Sequence, residues 1–591
     1  MARSDFVHLH THTEYSMLDG AASNEKLFAE VARQGMPAVA MTDHGNMFGA
    51  YEFFQISKKY DGDQNPLVKP IIGIEAYVAP STRKSRVQEF WGTSRDAGDP
   101  DAEGGKDVSG GGRYTHMTMW AKDSEGLHNL FRLSSLASYE GYYMKPRMDR
   151  ELMGQYPGGI IASTGCPSGE VQTRLRLGQF EEACQAASDY RDIFGRENYF
   201  CELMDHGVPI EKQVRSDLLK LAKKLDIPLL VTNDSHYVTE DQADAHDSLL
   251  CVGVGRNKDD PNRFRFNGSG YYIKSSEQMR ALFPDHPEAC DNTLLLTEMI
   301  GSYDEVFKYV DRMPQFDVPE GETQESWLRK KLQEGLDEKF GPNPPKEVLE
   351  RLETELSVIE PLGFASYFLV VSDICNAARS MGVPVGPGRG SAAGSLVAYL
   401  TGIIAINPLE HGLLFERFLN PERVNPPDID LDFDDRQRDK VIDYVTHKYG
   451  AEYTSQVNTF GKIKAKAAVK DANRILGYPF ALGDKITKAM PPDVMGKGVP
   501  LDKIFDSSHE RYGEGQEFRQ LVADNPDVAK VVETAKGLEG LIRGTGVHAC
   551  AFILSSTPLL DLVPMHKRDK DGMIIAGFAY PQLEEMGLMK M

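Results

Sequence analysis

Histidine, aspartate and cysteine recur in the first 240 residues where short apolar runs give way to polar sequence. Residues 7–12 carry His10 and His12 two positions apart. In an extended strand, positions i and i+2 share a face, so two imidazoles about 6–7 Å apart at Cα can converge on one cation. The run at 37–43 leads into His44, and 71–75 ends in Glu75. His116 sits within 114–121, Cys166 follows 159–165, and Asp205 and His206 follow 199–204. The run at 228–232 precedes Asp234 and His236. Imidazole, carboxylate and thiolate donors together favour zinc, with manganese or iron where oxygen dominates. A histidine taken singly is more often packed or capping than ligating. Recurrence at successive strand ends is what points to a metal centre.

A second constellation lies at 427–434, Pro-Asp-Ile-Asp-Leu-Asp-Phe-Asp. On a strand, Ile429, Leu431 and Phe433 would face a core while Asp428, Asp430, Asp432 and Asp434 share the other side. A row of like charges is destabilising unless it is solvated or bound to cations. Two carboxylates at i and i+2 suit a pair of Mg²⁺ ions about 3.5–4 Å apart; a charged edge strand guarded against aggregation gives the same pattern. Upstream, residues 385–395 read Val-Gly-Pro-Gly-Arg-Gly-Ser-Ala-Ala-Gly-Ser before an apolar, helix-like 396–400. Glycines let backbone amides approach a phosphate, and Ser391 is placed to cap a helix whose positive end would meet a triphosphate. No Gly-Lys-Ser/Thr follows, which excludes a Walker A loop. Further on, Lys462, Lys464, Lys466, Lys470 and Arg474 face a single acid, Asp471. At helical spacing they form a stripe for DNA phosphates, the bland alternative being a solvated helical face.

The elements that must position these residues are legible in outline. Helix-like segments at 24–34, 123–139 and 210–225 alternate with the apolar runs, the logic of a β/α barrel with functional residues at strand C-termini. Residues 92–112, rich in Gly, Asp and Ser, are expected as a mobile surface insertion. Pro284, Pro287, Pro314 and Pro319 mark a boundary near 285–315. Helices are expected over 324–381, strands and loops over 383–435, helices over 462–540 and strands over 547–591. A chain of 591 residues with 41% hydrophobic and 26% charged residues holds several globular domains and is neither disordered, collagen-like nor coiled coil as a whole. Seven scattered cysteines without a Cys-x-x-Cys pair exclude a disulfide framework and a zinc ribbon. With no apolar leader and no stretch long enough for a membrane span, a soluble, cytoplasmic protein without a membrane partner is expected. The net charge of −22 argues weakly against nucleic acid, so local charge must decide.

His10-Thr-His12, Thr42-Asp43-His44-Gly45, Gly73-Ile-Glu75-Ala76-Tyr77 and Asn233-Asp234-Ser-His236-Tyr237 resemble the motifs of the PHP (polymerase and histidinol phosphatase) family. The resemblance implies nine ligands, His10, His12, Asp19, His44, Glu75, His116, Cys166, Asp234 and His236. They would hold up to three Zn²⁺ or Mn²⁺ ions for phosphoester hydrolysis and, in polymerase-linked members, 3′–5′ exonuclease proofreading. His206 is expected to be structural or to support the ligands. Residues 386–395, 415–423 and 427–435 resemble the palm of the bacterial C-family replicative DNA polymerases, the alpha subunits of DNA polymerase III. That palm belongs to the polymerase-beta-like nucleotidyltransferases.

This second resemblance implies catalytic Mg²⁺ at Asp428 and Asp430, with Asp432 a neighbour. Arg389, Gly390, Ser391, Arg417 and Lys590 would handle the phosphates of incoming dNTPs. Primer-template DNA is the implied partner, together with the sliding clamp and other replisome subunits in the full-length protein. The expected fold is α/β: a PHP β/α barrel over 1–295, then a nucleotidyltransferase palm over 296–459 and 541–591, with an inserted helical thumb over 460–540. Family members place a third palm aspartate after a segment resembling 587–591, where this sequence stops. The expectation is an N-terminal fragment inactive as a polymerase. The alternatives are a metal-dependent phosphoesterase or exonuclease whose palm only grips DNA, or a scaffold that keeps metal ligands for stability.

Overall fold

A computed structural model describes residues 5–92, 107–420 and 427–591. Most of 92–112, and 421–423 of the 415–423 motif, lie outside the described residues. The chain forms two compact units. The first takes residues up to 307 together with 459–546 and 563–573; the second takes 308–458, 547–562 and 574–591. Among the described residues no helix is long and apolar enough to cross a membrane.

Among the described residues the first unit carries a seven-stranded sheet: β1 (Ala38–His44), β2 (Lys69–Val78), β3 (Thr115–Ala121), β4 (Arg147–Met148), β5 (Ile160–Ser163), β6 (Tyr199–Leu203) and β7 (Leu229–Val231). They lie in the order β1-β2-β3-β5-β6-β7, with β4 beside β2. Near-continuous apolar runs such as Ala-Val-Ala-Met in β1 are what strands covered on both faces require. The extended N-terminal segment joins the sheet's two edges. On one side Ala40 N donates to His8 O at 2.9 Å and Thr42 N to Thr11 O at 2.8 Å. On the other, His12 N donates to Ser235 O at 2.7 Å and Ser235 N to His10 O at 3.0 Å. The sheet therefore curls until its ends meet through residues 8–12.

One strand departs from an all-parallel barrel. β3 runs antiparallel to both β2 and β5. Its start consequently lies beside the end of β2, with His116 opposite Tyr77 and Thr118 opposite Glu75. A strand beginning, not a strand ending, delivers His116 to the site.

Residues 460–540, expected as a thumb inserted in the palm, share a core with the first unit. Val469, Ala472 and Ile475 of helix Ala465–Ile475 pack with Val528, Val531 and Val532 of helix Pro526–Leu538. Leu249 and Val252 of helix Ala243–Val254 close the same cluster. The approach is tight: a Cβ on Gly537 would stand 2.5 Å from Ala245 Cβ, so only glycine fits.

The second unit packs helices Gln324–Phe340, Lys346–Ile359 and Ala365–Ser380 around Leu332, Leu356, Phe368, Leu396 and Ile429. In its sheet, Ile574–Ala579 runs parallel to Thr454–Lys462, and Met589–Lys590 runs antiparallel to Ile542–Leu554. Two expectations are corrected here. Ser391 does not cap the helix after the glycine loop; it starts a short 3₁₀ turn, Ser391–Gly394, and the cap of helix Leu396–Leu400 is Ser395. That helix start is also already occupied. The buried Glu355 carboxylate accepts from Leu396 N at 2.8 Å, Val397 N at 3.0 Å and Ser395 Oγ at 2.9 Å, with Arg351 Nε at 2.8 Å. A carboxylate meets those amides and their dipole, so they do not face a triphosphate.

The second correction concerns 427–434. It is extended but, among the described residues, forms no ladder and a single bridge, Phe433 to Val385. Ile429 is buried, and Leu431 and Phe433 pack against the core at partial burial, so the alternation of faces holds. Pro427 lacks an amide donor, and the carboxylate side meets the glycine loop instead of a strand. Gly386 N donates to Asp432 O at 2.8 Å.

Candidate functional sites

The nine residues implied by the first resemblance come together in the first unit. Glu75, in the middle of β2, is their centre. Its Oε1 lies 3.1 Å from His116 Nδ1 and 3.4 Å from His10 Nε2; its Oε2 lies 2.7 Å from His44 Nδ1 and 3.6 Å from His12 Nε2. Asp234 Oδ1 stands 3.1 Å from His12 Nε2, 3.3 Å from His10 Nε2 and 3.6 Å from His236 Nδ1. Asp19 approaches His44 Nε2 at 2.9 Å and His236 Nε2 at 3.8 Å. Cys166 Sγ is 3.5 Å from His116 Nδ1. A cleft of about 550 Å³ opens over Asp19, His44, Glu75, His116, Cys166, Asp234 and His236.

These distances are close, yet the geometry satisfies few of the atoms. His10 Nε2, His12 Nε2, Asp19 Oδ1, His44 Nδ1, both Glu75 oxygens, Asp234 Oδ1 and His236 Nε2 are buried without a hydrogen-bond partner. Buried polar groups are ordinarily paired, and a cluster of orphaned lone pairs is what a cation site looks like. Among the described residues, three sets of donor atoms each lie within 4.8 Å of one another: His12–His44–His236, His10–His12–Asp234 and His44–Glu75–His116. Imidazole nitrogen with carboxylate oxygen suits divalent transition metals, so the donors fit the ions the first resemblance implies.

The electrostatics agree. Burial, with His44 nearby, drives His12 well below the ordinary histidine range, and burial with His12 nearby takes His236 down to about 3, leaving both neutral with free lone pairs. Burial acts against charge at His10 and His44 too, but neighbouring acidic groups outweigh it. Asp234, Glu202 and Glu75 raise His10 well above its ordinary value; Tyr77, Glu75 and Asp19 do so for His44. The carboxylates demand positive charge at this spot, which protons or metal cations can supply.

In the second unit, Asp428 and Asp430 face a guanidinium and a small pocket. Arg389 Nη1 lies 2.8 Å from Asp430 Oδ2, and Arg389 Nε 3.2 Å from Asp432 Oδ1. Asp428 lines the pocket with Tyr367, Tyr580, Glu584 and Lys590. Lys590 Nζ stands 4.3 Å above the Tyr580 ring. Gly390 and Ser391 are exposed on the loop beside Arg389, and Arg417 is exposed on the turn Phe415–Arg417. No contact among the described residues brings Arg417 to the aspartates. The expected five-residue basic helical stripe is shorter than its sequence. Lys462 ends a strand, Lys464 caps the helix, and only Lys466, Lys470 and Arg474 share a helical face. Lys462, Lys466, Lys470 and Arg474 pair with Glu14, Asp493, Asp484 and Asp471 respectively.

Comparison with known proteins decides the lineage. Residues 8–206 match the PHP domain, and residues 326–591 match the bacterial DNA polymerase III alpha NTPase domain. "DNA polymerase III subunit alpha" of Saccharopolyspora erythraea is 56% identical over 589 residues, 99% of this chain and 49% of that protein. The Mycobacterium tuberculosis protein of the same name is 55% identical over 594 residues, covering 100% of this chain and 49% of its own length. The Treponema pallidum protein is 39% identical over 592 residues, covering 100% and 47%. The chain belongs to the bacterial DNA polymerase III alpha family. It spans about half the length of the curated relatives it matches.

The PHP domain contains supporting residues that spacing alone did not single out. Glu202, in the middle of buried β6, accepts from His10 Nδ1 at 2.6 Å and from Thr232 Oγ1 at 2.6 Å, and Ser163 Oγ bonds its other oxygen. A lone carboxylate in the run Tyr-Phe-Cys-Glu-Leu was the available signal. Asp43 accepts from Thr13 N at 2.7 Å and Ser16 Oγ at 2.7 Å, while Ser16 Oγ lies 2.9 Å from His12 Nδ1. Such partners fix ring orientation and tautomer. His206 stands apart, with Nδ1 on Glu211 at 2.6 Å, Nε2 on Asn233 O at 2.9 Å and its ring stacked on Tyr271. Glu202→Ala is expected to weaken metal affinity about 10–100-fold with the fold intact, read by competition with a fluorescent chelator.

Proposed function

We propose that the PHP domain holds up to three Zn²⁺ or Mn²⁺ ions and hydrolyses the terminal phosphodiester of a DNA 3′ end, and that the palm is the nucleotidyltransferase site of template-directed DNA synthesis. The eight partnerless buried donor atoms around Glu75 carry the first half of this reading. His10, His12, Asp19, His44, Glu75, His116, Cys166, Asp234 and His236 would hold the ions, and Glu202 and Asp43 keep the imidazoles aimed. Ions bound there would supply Lewis acidity toward the phosphodiester and its attacking water. The protein's own part is to exclude solvent from the donors and to fix their orientation before substrate arrives.

In the palm, Asp428 and Asp430 are the carboxylates for Mg²⁺, the chemistry two acids on one face of an extended segment suit. Arg389, Gly390 and Ser391 receive phosphate through guanidinium and exposed loop amides, and Lys590 lies on the pocket wall beside Asp428. Primer-template DNA and dNTPs are the substrates of this reading. A sliding clamp, other replisome subunits and a cytoplasmic setting belong to it in the family's full-length context.

The test is elemental analysis of protein purified without chelator, followed by incubation with a single-stranded oligonucleotide labelled at its 5′ end. More than one equivalent of transition metal and metal-dependent shortening from the 3′ end are expected. A folded chain that takes up neither Zn²⁺ nor Mn²⁺ overturns the reading.

A further inference from the structure

The metal cleft has walls that a small phosphate ester would not need. Phe264 and Phe266 both line it, two residues apart and half-buried. Their segment is pinned from behind: the buried Arg263 guanidinium pairs with Asp247 at 2.7 and 2.8 Å and donates to Lys258 O at 3.0 Å. Phe266 stands edge-on to His236 at 4.6 Å between ring centroids, and Phe264 lies edge-on to Phe266 at 5.7 Å. Half-exposed, anchored aromatic rings beside a metal-ligating histidine form a platform for a planar base.

At the Tyr77 and His116 end the cleft carries positive charge. A tight turn, with Met144 at φ +67° and Tyr143 N donating to Lys145 O at 3.0 Å, sets Lys145 on the lip. The Lys145 ammonium stands 5.2 Å over the Tyr77 ring. Behind it the Arg86, Arg113 and Arg147 guanidiniums surround Tyr143 at 5.9, 5.5 and 5.0 Å. Arg113 also bonds Gly110 O, a residue of the cleft wall. Among the described residues, the hydrogen bonds of the three guanidiniums all end on backbone carbonyls. Among the described residues no carboxylate lies within ion-pair distance of Arg86, Arg113, Lys145 or Arg147. Neighbouring Arg83, by contrast, is paired with Glu140 and Asp149 at 2.8 and 2.9 Å. In a chain of net charge −22, cations that lack an ion-pair partner among the described residues, grouped beside a cleft, fit a polyanion.

We propose that Phe264 and Phe266 stack the terminal base of a single-stranded polynucleotide while Arg86, Arg113 and Lys145 track its preceding phosphates, which sets the cleft's preference for a strand end over a small ester. This rests on the phosphodiesterase reading of the same cleft. The experiment uses the full chain loaded with Mn²⁺ and a single-stranded oligonucleotide whose 3′-terminal base is 2-aminopurine and whose last linkage is a phosphorothioate. Stacking should quench the 2-aminopurine emission in the parent protein. Phe264→Ala should restore emission and weaken binding about tenfold, and Phe264→Trp should recover both. Changing Arg86, Arg113 and Lys145 together to Gln should lower the salt slope of binding by about 2, at roughly 0.7 per phosphate contact on a single strand. Mn²⁺ content, measured on each variant, should equal the parent's.

An unquenched terminal base in the parent overturns the proposal. So does unchanged quenching in Phe264→Ala, an unchanged salt slope in the triple variant, or a loss of binding explained by lost Mn²⁺. Quenching without any trimming of an ordinary phosphodiester leaves the stacking wall standing and overturns the nuclease reading instead.

Discussion

Glu75→Gln should strip the PHP domain of most of its metal and lower 3′ trimming by about a thousandfold or more, read by elemental analysis and a labelled oligonucleotide. The side chain touches four imidazoles through two oxygens, at 2.7 to 3.6 Å, and neither oxygen has a hydrogen-bond partner. Gln keeps the shape but loses the charge that raises His10 and His44 against their burial. It also sets an NH₂ donor where two lone pairs converged. Metal uptake by the parent should release protons and weaken as pH falls, because those two raised histidines compete for the same site in their protonated form. His206→Asn supplies the contrast: with both ring nitrogens committed to Glu211 and Asn233, it should leave the metal complement unchanged. If Glu75→Gln retained the parent's metal and trimming, the cluster centred on Glu75 would not be the site.

How much of this was legible in the sequence depends on how local the cause is. β1, β2, β5, β6 and β7 announce themselves because strands buried on both faces are written as apolar runs; His44, Cys166 and Asp234 sit where β1, β5 and β7 stop, whereas Glu75 lies inside β2, which runs on to Val78. The direction of β3 is not written in its own residues. A period of two is the same read from either end, so only pairing with β2 and β5 shows that His116 enters from the strand's beginning. The cap of helix Leu396–Leu400 fails for a related reason. Ser391 and Ser395 are equally good local candidates, and the choice is made by Glu355, 40 residues away, whose buried carboxylate takes the first amides. Glu202 sits within an apolar strand, and its role is set by His10, 192 residues away in the sequence. At 427–434 the alternation gave the correct faces but not the partner, because the carboxylate side meets a loop. Residues 460–540 read as helices, yet nothing in their pattern names the surface they cover, Leu249 and Val252 of helix Ala243–Val254.

Asp430→Asn is expected to lower primer extension by several orders of magnitude in a chain carrying the full length of its relatives, measured with a primed template and dNTPs. The carboxylate is held in place by Arg389 at 2.8 Å and is about a third exposed, so the change removes charge without opening a cavity. Folding stability should stay within about 1 kcal/mol, since a half-exposed ion pair contributes little. Asp432 gives the internal comparison. It shares Arg389 at 3.2 Å but lies four residues from Asp428, about 13 Å along an extended segment against about 6–7 Å for Asp430, too far to complete a pair of ions with Asp428. Asp432→Asn should therefore cost about tenfold or less. The two substitutions weaken the same guanidinium contact, so a difference between them reads the charge at Asp430 itself and not the posture of Arg389. Equal losses would assign the effect to Arg389 and its loop, and unimpaired extension by Asp430→Asn would remove this segment from the palm's chemistry.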